Sequence, residues 1–367
     1  MHKFLFLVNG SPDSWAGIRA KRFLGFVDDF YQTAIHYKTE TKIKTVLKFI
    51  KVVLKNKPSL IYVLQVGYVN SIPALLAKII FKTKIIIDIG DINYEVAKIN
   101  GDRLWIEIMF IKNMEKLLWR LSNIIIVRGT YHKIYFDVLG YKNVYFIPDG
   151  VDTNVVKPIE DSGAFRKEFG LDDSFTVGVL GSINWSKSLE MCYGWEIVEV
   201  IKLLNDMDVK RKIKGIIIGE GDGVPILKKK AEEYGIQDKI LFLGNIKYEE
   251  VYKYISLMDI CISTQTNNIL GWMRTTGKIP IYLSCNKYIL ATKVGTVVGL
   301  LPEAMLVPYS GMKDLNYPLE LVDRICKIYD NRDLLSLGNS SREIAKKHFE
   351  YKILGEKVGD IVRNSFQ

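Results

Sequence analysis

Short apolar runs alternate along the whole chain with longer segments whose apolar positions recur every three to four residues. The runs are KFLFLV (3–8), LIYVLQV (60–66), KIIIDIG (84–90), NIIIVRG (123–129) and NVYFIP (143–148), then FTVGVLG (175–181), KGIIIGEG (214–221), KILFLGN (239–245), DICIST (259–264) and YILATKVG (288–295). Strands that are apolar throughout, rather than alternately, must be covered on both faces. Separated by helices, they predict parallel sheets in an α/β protein. Two consecutive sets predict two Rossmann-like domains, at 1–157 and 158–344. The join is IPDGVDTNVVKP, where Pro148, Gly150 and Pro158 punctuate a strand end and a linker. The last segment, 345–367, is helical in pattern; the sequence leaves open whether it packs back on the first domain.

Charge sharpens that division. The net +10 resides in the first half: residues 1–150 carry 22 Lys and Arg against 12 Asp and Glu, whereas 151–367 carry 29 of each. A basic first half points to an anionic partner, an acidic lipid surface or a phosphorylated acceptor, or else serves solubility alone. Two basic amphipathic stretches, 41–58 and 103–122, fit either a sheet-covering helix with a solvated face or a helix docked on a membrane. In the first, Lys44, Lys48, Lys51 and Lys55 fall at helical spacing, with Val46, Leu47, Ile50 and Leu54 for the other side. No nucleic-acid module is recognisable beyond charge, so nucleic acid is not expected as a partner. Cys192, Cys261, Cys285 and Cys326 are widely spaced, as in a reducing cytoplasm, and the apolar start is too brief for a signal peptide.

Candidate chemistry concentrates in Gly271–Gly295, GWMRTTGKIPIYLSCNKYILATKVG, a polar loop with Arg274 and Lys278, then a short helix and a buried strand. Unpaired backbone N–H groups at a helix start, with an arginine and a lysine beside them, suit a diphosphate. The bland alternative is an ordinary connection bearing two solvated cations. GEGDG at 219–223 lacks the third glycine of a dinucleotide fingerprint, and Gly277-Lys278-Ile279 lacks the Ser or Thr of an NTPase phosphate loop. At the end of IIIDIGD, Asp88 and Asp91 are either helix caps or carboxylates that orient or deprotonate an acceptor hydroxyl. Asp13, Trp15 and Arg19 lie after the first run; Arg19 either holds an acceptor phosphate or begins a helix. His2, His36, His132 and His348 form no metal-ligand pattern, and no resident metal is expected.

With these residues in view, the chain resembles a family 4 glycosyltransferase of the GT-B fold. The likeness rests on Asn9, Gly10 and Gly17 after the first strand, on IPDGVD and VGVLGSINWSK, on IIIGEGDG through LFLGNI, and on TTGKIPIYLSCNKYILATKVG. It implies two parallel-sheet domains facing across a cleft, a nucleotide-sugar donor mainly on the second, an acceptor mainly on the first, and retention of anomeric configuration. It places Gly181 against the diphosphate, with Lys187 as a phosphate lysine. Gly219, Glu220, Gly221 and Asp222 line the nucleotide site, and Asn245 and Ile246 meet the base. The family's E-x7-E glutamates fall at Met273 and Ile281, and Arg274, Thr275, Thr276, Gly277 and Lys278 make that loop cationic instead. Arg274 and Lys278 then neutralise the departing nucleoside diphosphate. The acceptor implied is an anionic or lipid-linked glycan at the cytoplasmic membrane face. The rivals are a catalytically degenerate GT-B binding protein and a GT-B sugar-nucleotide epimerase.

Overall fold

The computed structural model describes residues 3–27, 31–207 and 211–366; His2 lies outside them. The chain divides into two compact units. The first holds Met1–Gly150, Trp272–Thr275 and Phe349–Gln367, and the second holds Val151–Gly271 and Thr276–His348. Each is built on a six-stranded parallel sheet.

In the first unit the strands are β1 Lys3–Val8, β2 Gln32–Tyr37, β3 Leu60–Leu64, β4 Lys84–Ile89, β5 Ile124–Val127 and β6 Val144–Phe146, ordered β2-β1-β3-β4-β5-β6. Strand β2, QTAIHY, is a half-exposed edge whose polar content hid it from the apolar pattern; it pairs with β1 from Lys3↔Gln32 to Val8↔Tyr37. Alternate residues Phe4, Phe6, Tyr62, Leu64 and Ile126 point into one core layer. Helix Tyr351–Phe366 adds Tyr351, Leu354, Val358 and Val362 to it. Each such side chain contributes about 1.5–3 kcal/mol by leaving water. The helix seats closely enough that a Cβ at Gly355 would fall 2.2 Å from the Phe26 ring.

The other layer shows a departure from the sequence pattern. Helix Lys42–Asn56 buries Thr45, Phe49 and Val53, whereas Leu47 and Leu54 are exposed together with Ile43. The buried stripe is therefore narrower than the apolar composition suggested, and aliphatic side chains share the outer face with the lysines.

In the second unit the strands are β7 Phe175–Leu180, β8 Ile213–Ile218, β9 Ile240–Gly244, β10 Ile260–Ser263, β11 Tyr288–Thr292 and the short β12 Leu306–Val307, ordered β12-β11-β10-β7-β8-β9. Open sheets of this type bind ligands where neighbouring strands leave in opposite directions, outside their carboxyl ends. Here that point lies between β7 and β10, paired only at Ile260↔Val177 and Cys261↔Gly178. Beyond, Leu180 N–H donates to the Tyr282 hydroxyl at 2.7 Å, and that hydroxyl donates to Ile262 C=O at 3.4 Å. A side chain replaces the ladder and the strands part. In the first unit the equivalent point lies between β1 and β3, where Asn70 Nδ2 donates to Leu7 C=O and Leu64 C=O, each at 3.0 Å.

Candidate functional site

On the second unit, three glycines at the carboxyl ends of β7 and β8 form a cradle. Gly181, Gly219 and Gly221 have φ of 155°, 138° and 154°, backbone that residues with a Cβ rarely adopt. A Cβ at Gly219 would lie 1.8 Å from Gly181 O, and one at Gly221 would lie 2.2 Å from Ile183 O. Backbone bonds Gly181 N to Ile218 O (2.9 Å) and Gly219 N to Gly244 O (2.8 Å) lace the strand ends together. Gly219→Ala is therefore expected to lower the melting temperature and weaken nucleotide binding: the backbone strain alone costs about 1–3 kcal/mol, before the overlap with Gly181. An unchanged melt and nucleotide titration would show the cradle to be yielding.

Lys278 reaches this cradle. It is 8% exposed, and its Nζ lies 4.5 Å from the Tyr193 ring centroid and 3.5 Å from where a Gly181 side chain would begin. Beneath it, Glu196 is fully buried; its carboxylate accepts from Thr264 Oγ1 at 2.7 Å and from Gly194 N–H at 2.9 Å. Burial pushes the Glu196 carboxyl up, while the Thr264 hydrogen bond and the Lys278 charge hold it back. Tyr193, Glu196, Thr264 and Tyr282 carry no familiar motif. Only their places, at the start of helix Trp195–Met207, the end of β10 and within helix Lys278–Ser284, bring them together.

The helix that Lys278 opens spans only Lys278–Ser284. So short a helix has little dipole to offer, so the positive charge at the cradle is Lys278's own. Gly277 is its N-cap and Thr276 C=O accepts from Ile279 N–H. Lys187 is exposed on the turn closed by Ser186 and Met191. Glu220 is exposed, Asp222 Oδ1 accepts from Trp185 N–H at 2.7 Å, and Asn245 and Ile246 follow the end of β9. Met273 and Ile281, at the positions of the family's glutamates, are both buried apolar side chains.

On the first unit, the carboxyl ends of β3, β4 and β5 carry a polar cluster. Asp88 is fully buried. Its oxygens accept from Arg19 Nε (2.8 Å), Arg128 Nε (2.9 Å) and the Tyr62 hydroxyl (2.9 Å). Burial raises its carboxyl, but Arg19 and Arg128 overcome that and hold it below the usual range. A carboxylate so placed is enclosed by ion pairs and caps no helix. Arg19 is likewise fully buried and does not begin a helix. It lies inside helix Trp15–Leu24 and donates to Ile147 C=O and Pro148 C=O at 2.8 and 2.5 Å. Gly17, in that helix's first turn, faces its own loop: a Cβ would fall 2.3 Å from Ser11 O.

Asp91 and Arg274 are brought together in an ion pair within this unit, each side chain about a quarter exposed. Burial raises the Asp91 carboxyl, but Arg274 and Arg128 draw it below its ordinary value. In this arrangement Asp91 is a weak base, and the Arg274 guanidinium is engaged by its carboxylate. Thr275 beside it is buried. Gln65 takes φ of 56°, and its Oε1 lies 2.9 Å from a Cβ position at Gly90. His132 is fully buried, and burial lowers its imidazole to about 4, so it is neutral at ordinary pH. Gln65 and Arg128 sat within recognised strand runs, but only the shared sheet edge shows that they meet Asp88 and Gly90.

Among the described residues no cluster of three or more His, Cys, Asp or Glu is placed to hold a metal ion, and no helix is long and apolar enough to cross a membrane.

Comparison with known proteins agrees with the fold. Residues 164–274 match the family described as glycosyl transferases group 1. An uncharacterized glycosyltransferase of Methanocaldococcus jannaschii is 22% identical over 76% of this chain and 68% of its own length. A GDP-mannose-dependent alpha-(1-6)-phosphatidylinositol monomannoside mannosyltransferase of Mycobacterium tuberculosis is 22% identical over 59% of this chain, which spans only 55% of that relative. In structure, Anabaena HepE in complex with UDP-glucose superposes with a TM-score of 0.78 at 16% identity, covering 99% of this chain and 100% of that one.

Proposed function

We propose that this chain, which has the GT-B fold and matches the group 1 glycosyl transferases over residues 164–274, passes a sugar from a nucleotide-sugar to a glycan or lipid-linked acceptor. The donor binds the second unit and the acceptor the first. The observation that carries this reading is the Lys278 ammonium held against Gly181 at the point where β7 and β10 part. As the bond from the anomeric carbon to the β-phosphate oxygen breaks, the electron pair stays with the nucleoside diphosphate. Lys278 stabilises that growing negative charge, and the glycine backbone allows the phosphates to approach. The acceptor hydroxyl forms the new bond to the anomeric carbon and releases its proton.

Neutralisation by Lys278 makes a resident metal unnecessary in this reading, so turnover is expected to survive EDTA. The likeness to family 4 supports retention of anomeric configuration, which proton NMR of the first-formed product reads directly. The relatives named for UDP-glucose and for a phosphatidylinositol acceptor support a nucleotide-sugar donor and a glycolipid acceptor. The basic first half supports residence on an acidic membrane surface, at the inner face of the cell membrane.

A thermal-shift screen of the full chain against UDP, GDP, ADP and TDP, then their sugars, tests the donor site without divalent metal. Stabilisation by one diphosphate is expected, about 2.7 kcal/mol at a hundredfold excess over Kd. A well-folded chain stabilised by none of them would overturn the reading.

A further inference from the structure

Helix Trp105–Leu121 buries only Glu115, Leu118 and Trp119, all in its second half. Its first half exposes Ile106 (61%) and Phe110 (52%), four residues apart on one apolar face, with Leu104 (69%) and Trp105 (74%) exposed beside them. That face does not end blindly. Ile106, Phe110 and Ile111 form one side of an open groove of about 410 Å³. Lys42, Tyr68, Arg103 and Ile111 line both this groove and a second cavity of about 240 Å³, so the two meet at these residues. The inner cavity ends at Asn9 and Gly67, just beyond β1 and β3, where the strands of this sheet diverge. The path thus runs from an exposed apolar helix face, past two cations, to the place where an open α/β sheet holds its ligand.

The path carries three cations, Lys38, Lys42 and Arg103, against two carboxylates, Glu107 and Glu115. Glu115 accepts from Asn93 N–H, Asn93 Nδ2 and Tyr94 N–H, at 2.7–3.0 Å, and Glu107 accepts from Leu104 N–H at 3.1 Å. Both carboxylates accept hydrogen bonds at helix starts, so their oxygens are held toward backbone N–H groups. The Lys42 ammonium lies over the Tyr68 ring at 5.9 Å, and among the described residues the Arg103 guanidinium pairs with the exposed Asp102, at 3.9 Å.

We infer that this groove binds the lipid carrier of the acceptor, a phosphate-headed amphiphile with its tail on Ile106 and Phe110, its phosphate between Lys42 and Arg103, and its sugar in the inner cavity. The inference rests on the reading that the first unit takes the acceptor. A tail suits the apolar face, which water alone would leave as exposed hydrocarbon. A phosphate suits a cation pair at the neck, which a neutral glycan would leave unmatched.

The test uses the full chain and phosphatidylcholine vesicles doped with a polyprenyl phosphate, with phosphatidylglycerol vesicles of equal charge and inorganic phosphate as the other arms. Preferential binding to the polyprenyl phosphate is expected. Lys42→Ala with Arg103→Ala should weaken it about thirtyfold, the factor two cations supply at ~1 kcal/mol each, and Phe110→Ser should weaken it independently. All three positions are at the surface, so melting temperatures should hold. Equal binding to phosphatidylglycerol would reduce the groove to a charged docking surface, equal protection by inorganic phosphate would reduce it to an anion site, and no binding to any would remove it; each overturns the inference. Nucleoside diphosphate stabilisation, measured on the same variants, separates the two readings: if it persists while lipid preference is absent, the donor assignment stands and only the lipid carrier falls.

Discussion

Lys278→Ala is expected to lower kcat/KM about ten- to a hundredfold and to weaken nucleoside diphosphate binding in parallel, because a charge-assisted contact contributes roughly 1.5–3 kcal/mol. The ammonium sits beside Gly181 and above the buried Glu196, so its removal acts twice. The departing diphosphate loses its cation, and Glu196 loses a charge that holds its carboxyl down. Lys278→Ala should therefore also lower stability. Adding Glu196→Gln should restore the melt without restoring turnover, since a neutral amide no longer needs a counter-charge. Isothermal titration with the diphosphate and initial rates on the single and double variants read both effects. Unchanged affinity and rate in a folded Lys278→Ala would remove the phosphate role. Recovery of turnover in the double variant would mean that Glu196, not the diphosphate, was the group Lys278 served.

Asp88→Asn should have the largest effect on the first unit, a loss of about 3–5 kcal/mol, because Arg19 and Arg128 would then be buried without their common counter-charge. Both donate to Asp88, and Arg19 also ties Ile147 and Pro148, at the far end of the sheet, to helix Trp15–Leu24. Hydrogen exchange in β4 and β5 measures the local loss. The pH dependence has a definite sign. The Asp88 carboxyl is lowered in the folded chain, so its stabilisation is fully present above the unfolded value of about 3.9 and is lost as pH falls through the lower folded value. Below about pH 4 the wild type should lose protection faster than Asp88→Asn, which has no such proton to take up. Asp91 acts in the same direction. Parallel acid profiles for the two proteins would show that the ion-pair cluster contributes little.

Much of this was legible in the chain because it depends on local sequence. A continuous apolar run such as KIIIDIG must be a strand covered on both faces, whatever its neighbours. Gly181, Gly219 and Gly221 follow such runs, but it was the resemblance to family 4 glycosyltransferases, not the glycines alone, that put them at a nucleotide site. Strand β2 was not readable: an edge needs apolar contact on one side only, and QTAIHY carries little. Asp88 admitted two readings, helix cap or acceptor carboxylate, and so did Arg19, phosphate holder or helix start. Their burial depends on Arg128 arriving from another strand, and no local pattern records that.

The sequence by itself determined the α/β class, the alternation that makes two parallel sheets, the basic first half and the cationic loop ending in Lys278, since each follows from residue type and spacing along one segment. Tertiary structure decided which charges are paired and which lie beside the glycine cradle. It turned Arg274 onto Asp91, enclosed Asp88 between two arginines, and set Glu196 beneath Lys278. It also left Trp105 and Phe110 exposed beside a groove that ends at β1 and β3. The reason is physical: the fate of a charge depends on which opposite charge and how much water lie within a few ångströms of it, and those neighbours come from distant parts of the chain.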